Sequence, residues 1–204
     1  MTPRKMKQLF LTLLCLLGIG SLHAQSWNDL LKQVASSTAT EAIDQLTGGK
    51  LTEVALQGSW SYKQPAVRFE SNNVLSSLSG SAFESTITSR MERAFSFVGI
   101  KPGAASFTFH KDKTFQAILG KKTLEGTYTF DPATHTITLD FSSKLIGTMN
   151  GRAYIDGQEL QMVFPMPKLL KLIKSVGSSI TSLQSVFKVL ENYDEVYLGF
   201  GFTK

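Results

Sequence analysis

From residue 51 onward, apolar and polar positions alternate with a period of two along much of the chain, the pattern of strands that bury one face. Leu56, Gly58, Trp60 and Tyr62 stand against Gln57, Ser59, Ser61 and Lys63, and after Pro65 the pair Val67 and Phe69 stands against Arg68 and Glu70. Phe107 and Phe109 precede the turn Lys111-Asp112-Lys113, and Phe115, Ala117 and Leu119 answer them. Gly126, Tyr128 and Phe130 share a face, Asp131-Pro132-Ala133-Thr134 turns the chain, and Ile137, Leu139 and Phe141 form the next apolar row. Leu145, Met149, Ala153 and Ile155 continue the pattern, with bends at Gly147 and Gly151. Asp156-Gly157 is a strong hairpin signal, and Leu160, Met162 and Phe164 return across it. Val196, Leu198, Phe200 and Phe202 make the last row.

Two segments interrupt this rhythm with a helical period. Leu75, Leu78, Phe83, Ile87, Met91, Phe95 and Val98 form one stripe, capped by Asn72-Asn73 and stopped at Gly99 and Pro102-Gly103. Leu169, Ile173, Val176, Ile180, Leu183, Phe187 and Leu190 form another, from Pro167 to about Leu190. A third helical segment, residues 25–50, carries Trp27, Leu30, Leu31, Val34, Ile43 and Leu46 and ends at Gly48-Gly49. Eight or nine one-sided strands joined mostly by short turns would leave bare edges as an open sheet, so closure is the economical solution. The expectation is a mainly β chain: an antiparallel meander barrel of about eight to nine strands over residues 51–204. An N-terminal helix, a helical insertion after the second strand and a helix before the last strand complete it. A sandwich is the alternative.

The chain start changes the picture of where this barrel works. Arg4, Lys5 and Lys7 precede the apolar run from Leu9 to Leu17, and Ala24 precedes Gln25, so residues 1–24 read as a signal peptide. Export to the periplasm or outside the cell is expected. The apolar run is too short to span a bilayer, and no later segment is long enough, so no transmembrane segment is expected after signal removal. Cys15 is the only cysteine and lies within the leader, which leaves 180 residues without thiols. A chain of that size buries enough surface to do without disulfides. Removing Arg4, Lys5 and Lys7 also takes the 21 Lys and Arg to 18 against 16 Asp and Glu, a net charge of +2, so nothing points to nucleic acid.

Gly58-Ser59-Trp60 at the start of the barrel pattern, the meander, the late helix and the last strand together resemble the lipocalin-like group. More narrowly, the chain is similar to secreted lipocalin-like domains of unknown function from Bacteroidetes-type bacteria, whose leaders often end as Ala24-Gln25 does here. The resemblance covers roughly residues 51–204 and implies a barrel that can carry a small ligand. In lipocalins an Arg from the end of the barrel typically packs on that Trp; here Arg152 is the last Arg, and only Lys204 follows the final strand.

The candidate ligand site is the barrel lining: Trp60, Tyr62, Phe69, Phe107, Phe109, Phe115, Tyr128, Phe130, Met149, Met162 and Phe164. Such a surface suits a small apolar ligand, a lipid, sterol or aromatic molecule. The competing expectation is that these bulky side chains fill the small interior of an eight-strand barrel completely, leaving a structural or interaction module of the cell envelope. If buried, the polar atoms of Trp60, Tyr62 and Tyr128 need partners.

No catalytic constellation emerges. His110 and His135 sit at strand ends on the expected solvent face without further His or Cys ligands, so neither a metal site nor a cofactor is expected. Gly177-Ser178-Ser179 lies in a helical pattern, not on a strand-to-helix elbow. Asp194 and Glu195 are adjacent and would point to opposite faces of a strand. Lys168, Lys171 and Lys174 make a basic row of the kind that meets an anionic membrane surface or acidic polymer, set against the plainer reading of a solvated helix face. An outer-membrane barrel is disfavoured, because these strands are short and the amphipathic helices need a core to pack on.

Overall fold

The computed structural model describes residue 44 and residues 47–69, 81–177 and 196–204, with the side chains of 81–84 excluded. The leader, most of the 25–50 segment, Leu75, Leu78, the side chain of Phe83 and the late stripe beyond Gly177 lie outside the described residues, as do Ser178, Ser179, Asp194 and Glu195.

Eight antiparallel strands close into a barrel in simple meander order. They are β1 (Gly58–Phe69), β2 (Ser106–Phe109), β3 (Thr114–Leu119), β4 (Lys122–Asp131), β5 (Thr136–Phe141), β6 (Thr148–Asp156), β7 (Glu159–Pro165) and β8 (Val196–Thr203). Closure is between β1 and β8, which pair from Ser61 with Thr203 to Phe69 with Val196. The expected alternation is realised with the apolar side inward: Phe115, Ala117 and Leu119 on β3, and Met149, Ala153 and Ile155 on β6, are buried. Their neighbours Gln116, Ile118, Thr148 and Asn150 are exposed. Apolar inside and mainly polar outside is the reverse of a membrane-spanning barrel.

One long strand replaces the two expected around Pro65. A register shift between Tyr62 and Gln64 admits an extra residue, after which Pro65, Val67 and Phe69 pair with Phe200, Leu198 and Val196. This bulge carries the inward row from even to odd positions and lets Pro65 sit in the strand. The helical insertion therefore follows the first strand, not the second. Leu145 departs from its expected inward row as well: it lies in the β5–β6 loop and is exposed, while Ile146 beside it is buried.

Among the described residues the strands are accompanied by the helices α1 (Lys50–Ala55), α2 (Ser81–Phe97) and α3 (Met166–Val176). Gly48 and Gly49 have positive φ, and the Gly49 N–H returns to the Asp44 carbonyl at 2.8 Å, a helix-ending geometry. A second helical turn, α1, starts at once beyond it, so Leu56 caps a helix instead of opening a strand. The α1 segment buries Leu51, Ala55 and Leu56 at the end of the barrel where β1 starts. At the opposite end α2 contributes Met91 and Phe95, both fully buried. There α3 buries Leu169, Leu172, Ile173 and Val176, an i, i+3, i+4, i+7 stripe. Gly177 adopts extended backbone, which ends α3 earlier than the stripe to Leu190 implied. Both ends of the barrel are thus covered by apolar side chains from helices.

Candidate functional site

The strands bring nine of the eleven candidate lining residues into one cluster: Trp60, Tyr62, Phe107, Phe109, Phe115, Tyr128, Met149, Met162 and Phe164. Phe69 and Phe130 are partly buried and pack against it. Phe107 stacks on Phe109 and Phe115 with ring centroids 5.8 and 5.9 Å apart, and meets Phe202 edge-on at 5.6 Å. From α2, Phe95 stacks on Phe200 at 5.1 Å and meets Tyr62 edge-on at 6.2 Å. Sequence reasoning put Phe95 on a covering helix and omitted Phe200 and Phe202 from the lining, although the last strand's alternation carried both.

The nine clustered residues have exposures of 0–3 %. A void wide enough for a water molecule would add accessible surface to the side chains around it, so none of that size lies against Phe107, Met149, Met162 or Phe164, which have none. Glycines tighten the packing. A Cβ on Gly151 would run into the Phe164 ring, and one on Gly126 would crowd Phe115, so these rings lie on bare backbone of the neighbouring strands.

The buried polar atoms divide unevenly. The Trp60 indole N–H donates to the Leu56 carbonyl at 2.8 Å, which ties α1 to β1. The Tyr128 hydroxyl donates to the His110 carbonyl at 3.1 Å. The Tyr62 hydroxyl is buried and has no partner. Burial first, and then the Glu92 carboxylate, pushes the Tyr62 phenol well above its ordinary range. The Tyr128 phenol is raised as well, by burial and then by Asp112 and Glu53. Over the Trp60 ring, where lipocalins place an Arg, Lys204 holds its ammonium 4.9 Å from the ring centroid, and burial lowers its pKa.

A second, polar cluster at the α1 end was not legible in the sequence. Asp44, buried, accepts the Thr52 N–H at 2.9 Å and the Thr52 hydroxyl, and its Oδ2 lies 2.9 Å from His135 Nε2. The Ile155 N–H donates to Thr52 Oγ1 at 3.2 Å. His135, with a positive φ of 54°, stacks on Tyr154 at 4.9 Å, and the Arg68 guanidinium covers Tyr154 at 3.6 Å. His135 is therefore paired with a carboxylate and mostly buried, not set on the solvent face as the strand pattern implied. Asp44, Arg68, His135 and Tyr154, with Ile155, Asp156 and Gln161, border a cleft of about 210 Å³.

Chemically this cluster is a tie, not a relay. A nucleophile and its base must bond each other. Here Thr52 and His135 both bond the same carboxylate, and the Thr52 oxygen also accepts a backbone N–H. No group of three or more His, Cys, Asp or Glu able to hold a metal occurs among the described residues.

An eight-strand meander closed first strand to last, with an apolar interior, a Gly-x-Trp entry and a cation over the indole, defines a lipocalin-type barrel. The chain belongs to the lipocalin-like domain family DUF4923, whose model matches residues 30–204. Among solved structures it is similar to the crystal structure of a DUF4847 family protein from Bacteroides vulgatus, at 13 % identity and a TM-score of 0.37, over 75 % of this chain and 96 % of that one. No curated protein matches the chain.

Proposed function

We propose that the protein is an exported, non-enzymatic barrel of the cell envelope whose interior is its own packed core and whose function lies on its outer surface. The observation that carries this reading is the aromatic cluster around Phe107, Phe200 and Phe202, each with 0 % exposure, between helices that cover both barrel ends. An eight-strand barrel has room for its own side chains or for one small ligand, and here the large rings take that room. Export rests on the basic and apolar leader of residues 1–24.

A second reading, carriage of a small apolar ligand in the barrel, is favoured by one observation: the Tyr62 hydroxyl lacks a partner that a ligand's polar atom could supply. Native mass spectrometry of the protein purified from its own host separates the two. The packed-core reading expects the mass of the processed chain alone. A co-purifying apolar small molecule, lost on Tyr62→Phe, would establish the carrier instead.

A further inference from the structure

The two ends of the barrel differ in charge. At the end opposite α1, the connection 98–105, the β3–β4 turn, the loop 142–147 and α3 contain no Asp or Glu; the exposed acids near them are Glu92 on α2, beside Arg90 and Arg93, and Glu125 and Asp140 on the strands. Seven exposed lysines lie there: Lys101 in the connection 98–105, Lys121 and Lys122 beside the β3–β4 turn, Lys144 in the β5–β6 loop, and Lys168, Lys171 and Lys174 on α3. None of these seven is in a salt bridge among the described residues. The α1 end is mixed, with Lys50, Lys111 and Lys113 against Glu53, Asp112, Asp131 and Asp156.

The same end carries the exposed apolar side chains. Among the described residues the large hydrophobics left in water are Phe97, at 75 %, Leu145, at 80 %, and Ile118, at 41 %. Phe97 ends α2, Leu145 sits in the β5–β6 loop, and Ile118 lies just before the β3–β4 turn, so all three are on the lysine-bearing end. Scattered exposed hydrophobics are ordinary; their confinement to one end, among lysines, is not. Contacts fix α3 between them. At its start Lys168 Nζ donates to the Thr148 carbonyl at 3.3 Å, next to the loop that holds Leu145. At its end Gly177 abuts Val98, next to Phe97. Its lysine face therefore spans from one exposed apolar residue to the other.

From this arrangement we infer that the lysine-bearing end docks on an anionic lipid bilayer. Lysines near such a surface each add attraction, and Phe97 and Leu145 gain by entering its interfacial layer. A polyanion would satisfy the charges but give the apolar side chains nowhere to go, which favours the bilayer. The inference does not depend on what fills the barrel.

The test is co-sedimentation of the protein, in the form its host produces, with vesicles of phosphatidylglycerol and phosphatidylcholine or of phosphatidylcholine alone. Binding is expected only to the anionic vesicles and is expected to weaken as salt rises. The double variant Lys121→Glu/Lys122→Glu should lower the partition coefficient at least tenfold. Lys111→Glu/Lys113→Glu, an equal charge change in a turn at the other end, should leave it near wild type. Leu145→Ser should lower it several-fold. Circular dichroism verifies that each variant is folded. Failure of the wild type to bind anionic vesicles, or equal losses in both double variants, would overturn the inference. Unchanged vesicle binding by Leu145→Ser together with tight binding to a soluble polyanion would overturn it in favour of a polyanion site.

Discussion

At the scale of single residues, Tyr62 is where packing and polarity conflict. Its ring meets Phe95, Phe200 and Phe202 edge-on at 6.2 to 6.3 Å, while its hydroxyl is buried without a partner. Leaving a hydroxyl in that state costs about 1–3 kcal/mol, and the ring needs only its apolar part to fill the space. Tyr62→Phe is therefore expected to stabilise the fold by about 1 kcal/mol, read as a higher midpoint in urea. Alkali should show the same conflict. In the fold the Tyr62 phenol ionises above its ordinary value, whereas in the unfolded chain it ionises near pH 10. The folded state thus holds a proton that the unfolded state has lost, so stability is full below about pH 10 and falls as the pH rises beyond it. Tyr62→Phe should make that fall shallower, with Tyr128 supplying the remainder; an unchanged alkaline slope would contradict this. Trp60 shows the opposite case, a buried polar atom that found its acceptor four residues back at Leu56.

At the scale of elements, α1 is seated on the barrel by the burial of Leu51, Ala55 and Leu56 and by a short list of polar bonds that also reaches the chain before it. Asp44 gathers Thr52 and His135, from α1 and the β4–β5 turn, and Thr52 passes the connection to β6 through the Ile155 N–H. Asp44→Ala would strand three donors in a buried place and is expected to cost about 2–4 kcal/mol, measured as a lowered urea midpoint at constant slope. His135→Ala should cost less, because Asp44 keeps both Thr52 bonds, and the two changes together should cost less than their sum. A loss below 1 kcal/mol for Asp44→Ala would show that this tie is not what seats α1. None of this was legible in the sequence, because Asp44 and His135 are 91 residues apart and local spacing carries no trace of the pairing. The strands were legible because their period repeats locally: the hairpin at Asp156-Gly157 appears with Asp156 opposite Glu159 and a positive φ at Gly157. The misreadings fall where a single residue resets the pattern. The extra residue at the β1 bulge shifts the inward row by one, and extended backbone at Gly177 ends α3 partway along the expected stripe, whose remainder lies outside the described residues.

At the scale of the whole molecule, the inward direction of the aromatic rows was legible, and their mutual fit was not. Alternation says which face a Phe occupies; only the three-dimensional register puts Phe164 on Gly151, Phe115 on Gly126, and Phe95 of a helix against Phe200 of the last strand. The Lys204 contact with Trp60 is of the same kind, since a cation suited to the indole was present in the sequence but its placement came from barrel closure. The central claim is that this interior is solid. An apolar cavity, where one exists, takes up xenon even when it stays free of water. Crystals of the protein held under xenon pressure are expected to show no xenon inside the barrel, and a xenon atom among Tyr62, Phe95, Phe200 and Phe202 would contradict that claim.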